Sequence, residues 1–363
     1  MKRFLALVVA VVAVMLGVGL QTHPYWVFKV PRVGFVLYAM VGGAVPPYFQ
    51  PDIFHKQFQD QWARPGDVFV AVPAKSGTTW MMNTLHHIRA KGQPQPFRDI
   101  YEEVRWPELL YYPGQGMAER IALLNRVSKK YPFSIYKTHF GPKKLFLRDD
   151  AKYIVAVRNV VDVAASLYSF LRNHDKEFAK MWGGFPPGAG EEEQPGDMAK
   201  FEHFFLVDSG NGKPMLDAVV LECLEEFWPL RNRPNVHFLH YNDRLRNDSE
   251  EIRKIAHFIG WELTQQEVER VAEKNTFAVM KKEHQKFSPG HIFEEFAERG
   301  LVSKTLKTML TELVNVGAKR NGESELNKQF VDRILSRVEK RFGKEIAHWI
   351  NHGGVLPNAE LPV

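Results

Sequence analysis

Pro73-Ala74-Lys75-Ser76-Gly77-Thr78-Thr79-Trp80 directly follows the apolar run Asp67–Val72 and opens a helical stretch from Thr78 to about Ala90. The first N–H groups of a helix have no partner within it, so a strand that turns into a helix offers them to an anion. Gly77 permits the tight turn and a close ligand approach, because no Cβ stands in the way. Ser76, Thr78 and Thr79 add hydroxyls, and Lys75 adds a full positive charge. A Walker-type loop requires Gly-x-x-x-x-Gly-Lys-Ser/Thr. Here Lys75 precedes Gly77, Thr78 stands in the place of that lysine, and Val72 replaces the first glycine. The loop is built for phosphate but not for a magnesium-bound triphosphate.

Working outward, short apolar strands alternate with helical patterns. Ser134–Lys137, Tyr153–Val157 and Val236–His240 read as strands; about Val161 to Leu171 and Glu250–Ile259 read as helices. This alternation predicts an α/β fold with a central parallel sheet flanked by helices, whose ligands bind beyond the carboxyl ends of the strands. Asp248 with Glu251 reads as a capping box, and Gly260 as the helix-ending glycine. Phe330, Ile334, Val338, Phe342, Ile346 and Trp349 read as the buried stripe of one long helix.

Two more segments bring chemistry to those strand ends. In Tyr136-Lys137-Thr138-His139, side chains two apart on a strand share a face, so Lys137 and His139 point the same way. An imidazole with an intrinsic pKa of about 6.5 takes an acceptor proton, and the ammonium meets charge developing on a transferring group. The run Tyr153–Val157 ends in Arg158-Asn159, with Asp162 and Ser166 on the helix that follows. A forked guanidinium at a strand end suits a phosphate, and the Ser166 hydroxyl reaches the same anion. Asp162 reads as a helix-start residue.

The string Pro-x-Lys-Ser-Gly-Thr-Thr-Trp resembles the 5′-phosphosulfate loop of the sulfotransferase family, in its soluble and bacterial branch that acts on small molecules. The likeness extends over roughly Asp67 to Ile350. It implies a P-loop-like sulfotransferase fold, 3′-phosphoadenosine 5′-phosphosulfate (PAPS) as co-substrate and no metal. It also implies in-line transfer of a sulfuryl group to a hydroxyl or amine. By the same resemblance His139, Lys75, Lys137 and Ser166 are catalytic. Lys75, Ser76, Gly77, Thr78, Thr79, Trp80, Arg158, Ser166, Tyr241, Phe277 and Gly317 bind the nucleotide, with Asn275, Thr276 and Met280 bordering its base. The segment Asn315-Val316-Gly317 departs from the family pattern, keeping the glycine but lacking the basic residues before it; Lys319 or Arg320 is the alternative partner for the 3′-phosphate. Phe97 to Glu108 resembles an acceptor-side segment.

Length and composition fit this reading. The 363 residues, 45% hydrophobic and 25% charged, accommodate one α/β domain and a leader. The net charge of +6 is spread along the chain, with no zinc-finger spacing, basic-region heptads or aromatic RNA-binding signature, which argues against nucleic acid as a partner. The single cysteine, Cys223, excludes an intrachain disulfide and a multi-thiolate zinc site, and reads as a buried hydrophobe in the amphipathic helix Leu216–Trp228.

Lys2 and Arg3 precede Phe4–Leu20, which carries no charged or polar side chain. A run of this length approaches the ~20 residues that span a bilayer, so it reads as a single-pass membrane anchor, with a cleaved secretory signal as the alternative. The expected organisation is an anchor and juxtamembrane region over 1–50, a sulfotransferase domain over 51–352 and a tail over 353–363. Gly183–Asp197, rich in Gly, Pro and Glu, reads as a surface loop over or beside the site. The acceptor stays open between a small molecule and a glycan. A catalytically impaired, membrane-bound nucleotide-binding protein of the same fold is the alternative function.

Overall fold

The computed structural model describes residues 48–362, apart from 95–96, 127–129, 187, 193, 210–212 and 311–325. The proposed anchor, and Gly317 with Lys319 and Arg320, lie outside the described residues. Among the described residues no helix is long and apolar enough to cross a membrane.

Five parallel strands form the centre: β1 (Val68–Ala71), β2 (Val104–Arg105), β3 (Ile135–Thr138), β4 (Lys152–Val157) and β5 (Val236–His240), in the order β2-β3-β1-β4-β5. Four of these answer to the strands read from sequence, with ends shifted by a residue. The edge strand β2 is an addition, since a two-residue strand carries no alternation to detect. In β1, Val68, Phe69, Val70 and Ala71 are all fully buried, as a strand covered on both faces must be. Each large apolar side chain so buried contributes about 1.5–3 kcal/mol. In register, Val68 faces Ile135 on one side and Lys152 on the other, so β1 sits at the point where the strand order reverses.

The helices used below are α1 (Thr78–Arg89), α2 (Val160–Arg172), α3 (Tyr241–Arg246), α4 (Asp248–Ile259), α5 (Gln265–Lys274), α6 (Lys328–Phe342) and α7 (Lys344–His352). The Asn83 side-chain amide donates to Asn275 Oδ1 at 2.8 Å and to the Lys274 carbonyl at 3.1 Å, fastening α1 to the end of α5.

Three local expectations change. The cap of α4 is Asn247, whose side chain accepts from Glu250 N–H, and Asp248 instead grips Arg244 with Nε at 2.8 Å. A carboxylate beside a buried guanidinium gains more there than at an exposed helix start. Gly260 does end this helix, at φ 76°. The C-terminal stripe belongs to two helices, α6 and α7, because Gly343 at φ 76° breaks the run between them. All six stripe residues are nevertheless buried. The segment around Cys223 is a π-helical turn (Asp217–Leu221) running into Glu222–Phe227; Cys223 is buried, and burial pushes its thiol up.

Candidate active site

A cavity of about 550 Å³ opens at the carboxyl ends of the strands. Lys75, Gly77, Thr78, Thr79 and Trp80 come to it from the loop after β1 and the start of α1. Lys137 comes from β3 and His139 from the residue after that strand, Arg158 from just beyond β4, Ser166 from α2, Tyr241 from the start of α3 after β5, and Phe277 from the segment after α5. One strand-end architecture thus gathers side chains from Lys75 to Phe277. Ser76 is the exception: its side chain is buried and does not line the cavity, while its backbone N–H donates to the Pro73 carbonyl at 3.2 Å. The turn aims its neighbours outward and this hydroxyl inward.

Gly77 caps α1 at φ 91°, and no side chain caps the helix in its place, so the first-turn N–H groups are left for a ligand. A Cβ at Gly77 would lie 3.0 Å from the Tyr241 ring, so this position needs glycine for both conformation and space. Lys75 also adopts a left-handed backbone, φ 64°, which a non-glycine residue holds only at a cost of about 1–3 kcal/mol. Its carbonyl accepts from Arg158 Nη1 at 3.2 Å, which locks the loop to β4. The Arg158 guanidinium lies 4.5 Å from the Tyr241 ring centre, and Tyr241 meets Trp80 edge-on at 5.3 Å.

Thr78 Oγ1 and Arg158 Nε are among the buried polar atoms of the cavity lining that stand without hydrogen-bond partners among the described residues, as do the indole Nε1 atoms of Trp80 and Trp106. Asp162 is 3.9 Å from Arg158 Nε, too far to bond it. Orphaned buried donors are costly, and a phosphate-bearing ligand would satisfy both the hydroxyl and the guanidinium.

At the other end His139 donates from Nδ1 to the Val72 carbonyl at 2.7 Å. A carbonyl only accepts, so Nδ1 holds the proton and Nε2 keeps its lone pair. Burial lowers the imidazole pKa to about 3, assisted by the Lys137 and Lys75 charges, so His139 is neutral through the physiological range. Lys137 Nζ donates to Tyr101 OH at 3.0 Å and lies 3.2 Å above the Trp106 ring. Burial pushes this ammonium well below its ordinary range, against the opposing pull of the Glu108 carboxyl.

Sequence reasoning missed Glu108 as a site residue. It is fully buried and its Oε1 accepts the His139 backbone N–H at 2.8 Å. The resemblance of Phe97 to Glu108 points to the acceptor side, but a lone acid in an otherwise apolar run does not reveal burial beside His139. Sequence reasoning likewise missed the apolar wall of Tyr48, Phe49, Phe170, Phe185, Met215 and Leu310, which the chain assembles from five separate stretches. Phe185 comes from the glycine- and proline-rich loop. His139 lies 5.9 Å from the Phe49 ring, and Lys75 Nζ lies 4.0 Å over that of Phe170.

A family model described as the sulfotransferase domain matches residues 65–319. The chain belongs to that family. This sulfotransferase is 28% identical over 224 residues to Sulfotransferase 1 family member D1 of Rattus norvegicus, covering 60% of this chain and 67% of the relative. It is 26% identical over 242 residues to Sulfotransferase 1E1 of Homo sapiens, covering 63% and 73%. Among solved structures it resembles a mouse sulfotransferase complexed with PAP, with a TM-score of 0.52, 17% identity and coverage of 79% of this chain and 88% of that one. It also resembles retinol dehydratase in complex with androsterone and PAP, with a TM-score of 0.51, 18% identity and coverage of 77% and 82%. At such identities the two structures establish the fold: the parallel five-stranded sheet flanked by helices is that of a sulfotransferase.

Proposed function

We propose that this sulfotransferase transfers the sulfuryl group of PAPS to the hydroxyl of an apolar small molecule. The observation that carries the reading is the convergence of the Gly77 turn, Arg158 and His139 on one cavity. The α1 N-terminus, Lys75, Thr78 and Thr79 would hold the 5′-phosphosulfate. Arg158 and Ser166 would hold the 3′-phosphate, and Trp80, Tyr241 and Phe277 would border the base. The orphaned Thr78 hydroxyl and Arg158 Nε support this fit.

His139 accepts the acceptor's proton at Nε2 as the oxygen attacks sulfur in line. Lys75 and Lys137 stabilise negative charge on the bridging oxygen as the S–O bond to the nucleotide breaks. Most of this work is positioning and charge stabilisation, as in phosphoryl transfer. The aromatic and aliphatic wall around His139 favours phenols, alcohols or sterols over glycans, because a polyhydroxylated sugar would lose its water to surfaces that offer it few hydrogen bonds. PAP, and androsterone in one case, occupy structural neighbours. Residues 1–50 are proposed as a single-pass tether; alkaline extraction of membranes from expressing cells tests it, since release of the protein would refute it.

The test is an assay with sulfur-labelled PAPS and a panel of apolar alcohols, phenols, amines and glycans. Label should move to the apolar hydroxyl compounds. His139→Ala should abolish transfer while binding of 3′-phosphoadenosine 5′-phosphate survives. Normal turnover in that variant removes His139 from its role, and nucleotide binding without transfer to any acceptor returns the protein to a binding function.

A further inference from the structure

Arg244 is a buried cation that the mechanism above does not use. It lies on α3, one turn beyond Tyr241, and its side chain is almost wholly covered. Burying a guanidinium is expensive unless its donors are bonded, and here Nε and Nη2 are. Nε and Nη2 reach Asp248 Oδ1 at 2.8 and 2.6 Å, and Nη2 also reaches Thr84 Oγ1 at 2.8 Å. Thr84, one turn beyond Trp80 on α1, passes its own proton to the Trp80 carbonyl at 2.8 Å. The guanidinium carbon thereby lies 3.7 Å from the centre of the Trp80 ring, the closest of the arginine–aromatic contacts among the described residues.

Trp80 is thus held from two directions. Tyr241 meets it edge-on at 5.3 Å, and Arg244 covers it at stacking distance. Residues three apart share one face of a helix, so α3 brings both to the same indole. The Trp80 indole Nε1 is buried with no hydrogen-bond partner among the described residues, so no hydrogen bond from that atom orients the ring. Trp80, Arg244 and Asp248 all line the nucleotide end of the cavity.

We propose that Arg244 is a positioning residue for the donor: stacked on Trp80 and anchored by Asp248 and Thr84, it fixes the indole as the platform on which the nucleotide base lies. The proposal rests on the donor reading above and deepens it. A planar cation suits this role better than lysine, because the guanidinium can stack on the indole while its edge donates to the carboxylate. Arg158 takes phosphate charge, whereas Arg244 acts on the base through an aromatic ring.

The experiment measures binding to the full chain of two ligands, 3′-phosphoadenosine 5′-phosphate and ribose 3′,5′-bisphosphate, which lacks the base. Arg244→Met removes the charge and keeps an unbranched side chain. It should weaken the adenosine ligand about tenfold, the size expected when a desolvated cation–aromatic contact is lost. The ribose bisphosphate should change by less than about twofold, because its phosphates lie on residues the substitution leaves intact. In turnover, the donor KM should rise while kcat holds, and Arg244→Lys should recover only part of the loss. Thr84→Val, which frees one donor and keeps the ion pair, should give a smaller base-selective loss of about threefold and carries the test if Arg244→Met does not fold. Equal weakening of both ligands, or of neither, overturns the proposal. Failure of the unsubstituted protein to bind either ligand overturns the donor reading and this proposal with it.

Discussion

At the scale of single residues, the pair proposed to act on the acceptor, Lys137 and His139, shows how a strand converts spacing into chemistry. Lys137 on β3 and His139, the residue that follows the strand, both line the cavity, as alternation along the extended chain predicts. What alternation does not give is protonation. The Val72 carbonyl fixes the His139 tautomer and burial takes its pKa from the ordinary 6.5 to about 3. In the proposed mechanism the neutral imidazole is the base, so a lowered pKa preserves the active form to lower pH. The acid limb of kcat/KM, which reports free-enzyme groups, should therefore show no inflection near 6.5 and should stay flat down to about pH 5. An acid limb centred at 6–7 would contradict the buried, neutral histidine. Gly77 offers a second check. Its φ of 91° and the 3.0 Å approach of Tyr241 to an added Cβ predict that Gly77→Ala costs about 1–3 kcal/mol in thermal or denaturant unfolding and weakens nucleotide binding. An alanine variant with unchanged stability and affinity would mean the turn relaxes freely.

At the scale of elements, the caps separate what local sequence controls from what neighbours control. Asn247 and Asp248 are adjacent and both suit a helix start. Asn247 takes the cap because Arg244, four residues before Asp248, draws that carboxylate away. Asn247→Ala should cost about 1 kcal/mol of unfolding free energy, the usual value of an N-cap. Asp248→Ala should cost more, about 3–5 kcal/mol, because it strands a buried guanidinium. Equal losses would show that Asp248 is only a surface cap. A similar contest decides the C-terminal stripe: its apolar spacing specifies a buried helical face, while Gly343 divides that face between α6 and α7. Periodicity continues through such a break because it records burial rather than backbone continuity.

At the scale of the whole molecule, the proposed nucleotide end of the cavity draws on the segments that follow β1 and β4 and on α1, α2 and α3 together. A ligand that bridges these elements should stabilise them as a unit. Saturation with 3′-phosphoadenosine 5′-phosphate at a hundred times its Kd should add about 2.7 kcal/mol to the unfolding free energy. At the same ligand concentration Arg158→Ala should lose most of that gain, and a thermal-shift titration reads both. An undiminished shift in that variant would place the 3′-phosphate elsewhere.

Much of this protein was legible in the chain itself. Covered strands read as short apolar runs, amphipathic helices as periodic ones, and the phosphate loop as a glycine set among hydroxyls and a lysine; such features are local, and local backbone preferences suffice to specify them. Four of the five strands followed from those patterns, whereas the family resemblance alone points to Tyr241 and Phe277, which line the cavity. Tertiary structure alone decided that Ser76 turns inward, that Glu108 lies beneath His139, that Arg244 covers Trp80, and that Tyr48, Phe170 and Leu310 share one wall. These depend on contacts between residues far apart in the chain, and on a burial that changes hydration and charge, for which linear spacing carries no signal.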